Sequence, residues 1–258
     1  MKRWLNSGKI ILFSTLFWFT SGLDFGSPLK LAQPAQADDF NPPDRGLPGR
    51  RRGGGTRNAQ SSCVSSPSIP LTVLLPESNL GLTTAAYPQI FWFVPQHNAP
   101  YLEVSLYATN KDFQDENLLF TSQFQTNGEA GIGHFKIPTG INFNPLLEGD
   151  TYHWYVSIIC NPDDRSSDIT VSGWLERVAM PPDLANSLVN ATGIDRSKAF
   201  AQAGIWYDAL EVLTELRCRP PLDGAGIQTQ WKALLSDSQV ELVDLAEFPW
   251  FQNCPVAP

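Results

Sequence analysis

The chain has 258 residues with 18 basic and 26 acidic side chains, which gives a net charge of -8 at pH 7. Residues 1–37 hold four of the basic and one of the acidic side chains, so the remainder carries 14 against 25, a net charge of -11. Proteins that bind nucleic acid need a basic face to displace counterions. The composition therefore excludes nucleic acid as a partner and favours a soluble protein or one with basic partners.

The first 37 residues have the composition of a secretory signal peptide. Lys2, Arg3 and Lys9 form a basic start, an apolar run covers residues 10–19, and Ala35-Gln36-Ala37 has the small-residue spacing of a cleavage site. The alternative is an uncleaved membrane anchor, but a bilayer core takes about 20 apolar residues and this run is half as long. We predict an exported protein, periplasmic or extracellular, cleaved after Ala37 and without a stable membrane span in its mature form.

Residues 38–62 are dense in Pro and Gly, contain the run Arg50-Arg51-Arg52-Gly53 and have few apolar side chains. Such a segment cannot bury enough apolar surface to offset the entropy lost on ordering. We therefore predict a disordered Pro/Gly/Arg linker.

From about residue 69 to 177 the hydrophobic pattern has the period of β-strands. It predicts strands over 71–75, 89–94, 101–107, 118–124, 131–137, 152–158 and 169–175. Seven short strands bounded by Pro, Gly and Asn are typical of an antiparallel sandwich. In the strand 152–158, alternation places Trp154, Val156 and Ile158 on the inward face and His153 on the outer face.

The segment Leu146-Leu147-Glu148-Gly149-Asp150-Thr151-Tyr152 resembles the tyrosine corner of fibronectin type III domains. It keeps Leu146, Gly149 and Tyr152, whereas Glu148 stands where Pro is usual. The resemblance implies that the Tyr152 ring is buried and returns its hydroxyl to a nearby backbone group. It also implies a fibronectin-like β-sandwich over residues 63–178.

The four cysteines are Cys63, Cys160, Cys218 and Cys254. The absence of a Cys-x-x-Cys pair makes a zinc site a weak hypothesis, and an even count in an exported chain favours disulfides. Four cysteines allow three connectivities. In a fibronectin-like sandwich the start of the first strand and the end of the sixth lie at one pole. The resemblance therefore implies the pair Cys63–Cys160 and, by default, Cys218–Cys254.

After residue 178 the hydrophobic period becomes helical, and we predict a small α-helical domain over residues 179–258. Helix starts are indicated at 181–183 and 195–197. The segment 204–210 resembles the second-helix start of a tetratricopeptide repeat, with one such unit visible. The predicted fold class is α+β multidomain: an antiparallel fibronectin/immunoglobulin-like β-sandwich followed by this helical domain.

The sequence shows no catalytic constellation. The histidines are scattered, and the Gly-x-Ser-x-Gly motif of serine hydrolases is absent. Acidic residues cluster in two polar turns, where solvated loop charge is a better interpretation than a pair of catalytic carboxylates. The first cluster is Asp112, Asp115 and Glu116, and the second is Asp163, Asp164 and Asp168.

A calcium loop is one further hypothesis for the second cluster. Asn161, Asp163, Asp164 and Asp168 offer hard oxygen ligands within one loop, and calcium takes six to eight such oxygens. Arg165 adds an unhelpful positive charge. Among the aromatic residues, Tyr155 faces opposite Trp154 and is the better candidate for stacking on a sugar.

Five segments together resemble a family. They are 42–57, 71–76, 91–93, 152–155 and 204–210. The resemblance is to the cyanobacterial domain-of-unknown-function family 928. It implies an exported cyanobacterial protein and brings no known activity, cofactor or catalytic residue.

We expect an exported, non-enzymatic binding or interaction module of the cell envelope that uses no cofactor. Its partner would be an envelope protein or polysaccharide. The alternative is a carboxylate-dependent hydrolase acting on envelope glycans. That activity would need a deep cleft between the domains, with two facing Asp or Glu of raised pKa.

Overall fold

The computed structural model describes residues 40–53, 63–64, 69–140, 143–218 and 224–251. The predicted signal peptide and Cys254 lie outside these residues. The strands are β1 (Thr72–Val73), β2 (Leu80–Thr83), β3 (Gln89–Val94), β4 (Tyr101–Thr109), β5 (Asp115–Gln125), β6 (Gly131–Lys136), β7 (Thr151–Ile159) and β8 (Ile169–Arg177). The helices are α1 (Pro182–Leu188), α2 (Ile194–Gln202), α3 (Trp206–Arg217) and α4 (Gly224–Ser236).

The strands form two sheets, with the orders β1-β3-β6 and β2-β8-β7-β4-β5. The helices follow the strands along the chain, so the predicted α+β class is confirmed. One pair departs from the antiparallel pattern, because β2 runs parallel to β8. Strand β2 was not predicted, because Leu80-Gly81-Leu82-Thr83 is too short to show a strand period. The finer likeness to fibronectin type III domains stays a prediction.

The core between the sheets follows from the alternation of the central strands. Leu102, Val104 and Leu106 of β4 lie opposite Ile158, Val156 and Trp154 of β7, and all six are buried. Aromatic side chains join the two sheets. The Trp92 ring of β3 lies 6.2 Å from the Phe124 ring of β5, and the Phe120 ring stacks on Phe135 at 5.1 Å.

Helix α3 closes the same core from one side. The Trp206 indole donates to the Leu74 carbonyl at 2.8 Å. The Tyr207 hydroxyl donates to the Trp174 carbonyl at 2.9 Å and accepts from the Trp154 indole at 2.7 Å. A Cβ atom on Gly81 would lie 2.5 Å from the Tyr207 ring, so this close approach requires glycine.

One hydrophobic core therefore extends across residue 178. The division into a sandwich over 63–178 and a helical domain over 179–258 stays a prediction. The segment 204–210, which resembles a tetratricopeptide helix start, is buried from Ile205 onward within this core.

Residues 40–53, which we call the strap, correct the prediction of a disordered linker. The strap carbonyls of Arg50 and Arg51 accept hydrogen bonds from Ser172 in β8 at 3.0 Å and Val73 in β1 at 2.8 Å. The strap thus joins the two sheets along one side of the sandwich. The rest of the predicted linker, residues 38–39 and 54–62, lies outside the described residues.

Residues 40–53 are ordered by contacts with distant parts of the chain, which the composition of the segment does not reveal. Phe40 is buried edge-on against Trp206, with ring centroids 5.0 Å apart. The Arg51 guanidinium donates to the Val240 carbonyl at 2.6 Å, and Arg52 forms an ion pair with Asp244 at 3.1 Å. The arginines therefore serve as side-chain anchors to the C-terminal part of the fold.

The disulfide Cys63–Cys160 confirms the first predicted pairing. It joins the chain ahead of β1 to the end of β7, with the two Cα atoms 5.3 Å apart. The sulfur of Cys218 also takes part in a disulfide. Because Cys254 lies outside the described residues, the pair Cys218–Cys254 stays a prediction.

Candidate functional site

The loop suggested for calcium uses several of its side-chain oxygens in internal hydrogen bonds. The Asn161 side-chain oxygen accepts from the Asp163 amide, and Asp164 accepts from the Ser166 amide, each at 3.0 Å. Hydrogen bonds from the Ser166 side chain and backbone lower the pKa of Asp164. Asp168 pairs with the Arg165 guanidinium. In the described part of the chain, no group of three or more His, Cys, Asp or Glu could hold a metal ion.

The segment 146–152, which resembles a tyrosine corner, holds the Tyr152 hydroxyl against the backbone. The Tyr152 hydroxyl accepts a hydrogen bond from the Leu147 amide at 2.8 Å, and Leu146 is buried. Gly149 has a φ of +85°, a conformation that favours glycine, and its amide donates to the Arg177 carbonyl at 2.7 Å. Burial raises the pKa of Tyr152. The corner fixes the start of β7.

A cleft of about 880 Å³ opens beside this corner, at the end of the five-stranded sheet. One wall is the turn 110–113 between β4 and β5, and the other is the segment 143–147. Three exposed apolar side chains line it: Phe113, Leu119 and Leu147, with exposed fractions of 37%, 38% and 61%. Because large exposed apolar groups that share one cleft are a common mark of binding, this cleft is the candidate functional site.

The Asn110 side chain builds the wall that carries Phe113. Its carbonyl oxygen accepts hydrogen bonds from the amides of Asp112 and Gln114, both at 2.9 Å. Its amide group donates to the Gln114 side chain at 3.0 Å. Phe113 has a φ of +58° in this turn, a left-handed conformation that costs a non-glycine residue about 1–2 kcal/mol. The turn holds the Phe113 ring at the cleft against this cost.

Phe113 connects the cleft to a polar and aromatic cluster on the outer face of the five-stranded sheet. The Phe113 ring meets Trp174 edge-on at 5.9 Å, and Trp174 stacks flat on the His153 ring at 3.9 Å. His153 Nδ1 lies 2.9 Å from an Asp115 oxygen. The Tyr155 hydroxyl donates to the other Asp115 oxygen at 2.5 Å. His153 is thus on the outer face, as predicted from alternation, but it is covered.

The electrostatics of this cluster favour a neutral imidazole. Burial lowers the pKa of His153, and the hydrogen bond to Asp115 opposes that shift. Burial and Asp115 together raise the pKa of Tyr155. We assign the His153 proton to Nδ1, which faces Asp115. Nε2, the atom that would act as a base, is buried and has no hydrogen-bond partner among the described residues. The cluster therefore has a structural role: His153 packs against Trp174, and Trp174 in turn contacts Phe113.

This cluster was not predicted from the sequence, because its members are far apart in the chain. Asp115 begins β5, whereas His153 and Tyr155 share the outer face of β7. The alternation of β7 was the available signal, since it placed both side chains opposite Trp154. It could not show that Asp115 lies across β4 from them. Tyr155 is half-buried and bonded to Asp115, so it is a poor platform for a sugar.

Two carboxyls of raised pKa lie at a smaller cleft of about 260 Å³ beside α3. Burial is the main cause of the shift in both Asp208 and Glu211. The Asp208 oxygens accept from the hydroxyls of Thr83 and Thr84, both at 2.6 Å, while Glu211 pairs with Lys136. Both carboxyls lie on one helix, three residues apart, and do not face each other across a cleft as a hydrolase pair would.

Residues 52–250, well over half of the chain, match the family model described as Domain of Unknown Function (DUF928). The chain belongs to the DUF928 family. No curated protein matches it. The DUF928 match begins inside the strap at Arg52 and ends at Trp250, which bridges Ile132 in β6. It thus includes the candidate cleft and the outer-face cluster. None of the described helices is long and apolar enough to cross a membrane.

Proposed function

We propose that this DUF928 protein is a non-enzymatic binding module of the cell envelope, and that its cleft at the end of the five-stranded sheet takes an apolar group of an envelope protein or polysaccharide. The observation that carries the proposal is the shared position of Phe113, Leu119 and Leu147, which expose apolar surface around one cleft of about 880 Å³. Apolar pockets with a few polar groups are the usual form of a ligand site.

The surroundings of the cleft support binding more than catalysis. Asn110 and the Tyr152 hydroxyl are committed to holding the two walls. His153, which stacks on the Trp174 ring that Phe113 contacts, has its Nε2 atom buried. A rigid wall with exposed apolar tips gains affinity because few side chains need to be ordered when a ligand binds. Export to the envelope rests on the signal-like residues 1–37.

The test compares a cleft variant with a matched surface variant. Leu147→Asp places a charge in the cleft, while Val189→Asp places the same charge on an exposed residue of the α1 end, which is 76% exposed. Immobilised exported protein would be incubated with envelope extract of its own host. We expect a component retained by the wild type and by Val189→Asp to be reduced at least about tenfold on Leu147→Asp, because charge is costly in an apolar contact.

Two results would overturn the proposal. One is that the wild type retains no protein or polysaccharide of the extract. The other is equal retention by Leu147→Asp and Val189→Asp, which would move binding away from the cleft. The fold of each variant is checked by its melting temperature, which should stay unchanged because the Leu147 backbone amide keeps its bond to Tyr152.

The hydrolase alternative rests on one observation, the raised pKa of Asp208 and Glu211 at the smaller cleft. Asp208→Asn would abolish glycan hydrolysis if this carboxyl were a catalytic acid. The present partners of Asp208, the hydroxyls of Thr83 and Thr84, favour a structural role instead.

A further inference from the structure

The edge strands of the two sheets differ in how far other segments of the fold pair with them. The edge of β1 pairs with the strap, whose Gly53 amide donates to the Leu71 carbonyl at 2.7 Å. The edge of β6 pairs with the segment 249–251, since the Ile132 amide donates to Pro249 at 2.8 Å. Strand β2 is four residues long and largely buried. Strand β5 is the remaining edge.

Strand β5 has the features of an edge that is free to pair. It is the longest described strand, with 11 residues, and eight of them are exposed. Among the described residues, its ladder with β4 is the only strand pairing it has. The ladder is irregular near Leu119 but regular from Phe120 to Gln125. Proteins usually protect such edges with charges, Pro or short length. Residues 117–125 carry no charged side chain and no Pro.

We propose that β5 pairs antiparallel with β5 of a second copy of this chain, joining two five-stranded sheets into one ten-stranded sheet. The direction follows from charge. Asp115 and Glu116 lie at one end of the strand, so an antiparallel pair keeps the two acidic ends apart. A parallel pair would set them side by side, and like charges facing each other on neighbouring strands are destabilising.

The uncharged residues 117–125 also set the register of the proposed β5–β5 pair. Centring the pair on Ser122 sets Phe120 opposite Phe124 of the second copy on the core side of the sheet. On the outer face it sets Thr121 opposite Gln123 of the second copy. Both pairs are favourable, because aromatic side chains and neutral hydrogen-bonding side chains stabilise neighbouring strands. This interface borders the proposed ligand cleft, because Leu119 of β5 lines that cleft, whereas Phe113 and Leu147 lie outside β5.

The net acidity of the chain gives the dimer a particular salt dependence. Two copies repel each other at long range, and salt screens that repulsion beyond about 10 Å at 0.1 M ionic strength. The dimer should therefore become tighter as salt is raised. A foreign basic strand on the same edge would bind more weakly as salt is raised.

The test is sedimentation equilibrium of the full chain, expressed with its own N-terminal segment and purified after export, at concentrations up to about 0.2 mM. We expect a monomer–dimer equilibrium that tightens with salt. Thr121→Lys with Gln123→Lys places lysines opposite each other and should weaken the dimer at least about tenfold. The control is Asn186→Lys with Gln202→Lys, which adds the same charge on exposed residues of α1 and α2 and should leave the dimer intact.

A cross-link tests the register even if the lysine variant fails to fold. Thr121→Cys protein mixed with Gln123→Cys protein should form a mixed disulfide dimer at least about fivefold faster than either variant alone, because directly opposite Cβ atoms lie about 4.5–5.5 Å apart and diagonal ones about 7–8 Å. A wild type that stays monomeric at every concentration and salt would overturn the proposal. So would a dimer that both lysine variants affect equally, or cross-linking without preference for the mixture.

Discussion

The seam between α3 and β2 and the outer face of the five-stranded sheet each centre on one aspartate, but water reaches the two very differently. Asp208 in the seam is 8% exposed and is held by two threonine hydroxyls. The Asp115 side chain on the outer face is 30% exposed and holds His153 and Tyr155. In the seam the buried titratable group is the acid, Asp208. On the outer face it is the base, His153, which lies within hydrogen-bond distance of Asp115. Burial therefore gives the two regions opposite responses to acid.

The direction of each pKa shift determines whether a lower pH raises or lowers the free energy of unfolding. Burial raises the pKa of Asp208 above its ordinary value of 3.8, so the folded protein takes up this proton more readily than the unfolded chain. Burial lowers the pKa of His153 below 6.5, so the folded protein resists this proton. As pH falls from 7, the seam therefore gains in its contribution to the free energy of unfolding and the outer face loses.

Asp208→Ala should have the largest effect on stability, and it acts on the seam. It leaves the hydroxyls of Thr83 and Thr84 without their buried partner, and we expect a loss of about 3 kcal/mol in the free energy of unfolding. Urea titration measures this loss. The advantage of the wild type over Asp208→Asn should grow as pH falls from 7 towards 3.8.

The matched control for Asp208→Ala is Glu247→Ala. Glu247 pairs with Lys232 on the surface, with side chains 72% and 56% exposed, so its removal should change the free energy of unfolding by no more than about 1 kcal/mol. Equal effects of the two substitutions would contradict the structural role of the seam.

His153→Gln tests the response of the outer face to acid. The wild type should lose about 1 kcal/mol relative to this variant as pH falls from 7 to 5, because only the wild type carries an imidazole that burial keeps unprotonated. Thermal unfolding at a series of pH values measures the difference. A difference that is flat with pH would show that His153 titrates alike in the folded and unfolded chains.

Asn110→Ala should have the smallest effect. It removes three hydrogen bonds in an exposed turn, and we expect a loss of about 1 kcal/mol together with greater freedom of the Phe113 ring. Because Phe113 lies edge-on to Trp174, tryptophan fluorescence reports that freedom. An unchanged spectrum and an unchanged free energy of unfolding would mean that the turn holds its shape without Asn110.

The sequence predicted those features whose signals are local. The alternation of Leu102, Val104 and Leu106 was enough for β4, and the Pro182 and Asp195 signals located the starts of α1 and α2. The pair Cys63–Cys160 needed one further step, the resemblance to a sandwich with a known pole. Features that depend on distant partners were missed. The strap is ordered by Trp206 and Asp244, and Asp115 meets His153 only after β4 has brought their strands together.

The strap also constrains the order in which the chain can fold. Its residues emerge early in synthesis, yet they bond to Ser172, Val240 and Asp244, so roughly 120 to 200 residues must follow before they find their partners. Contacts of such large sequence separation form slowly, since a long loop must close first. The Arg51 and Arg52 side chains therefore reach Val240 and Asp244 only after the C-terminal part of the chain has been made. The first described residues to be synthesised are among the last to be fixed.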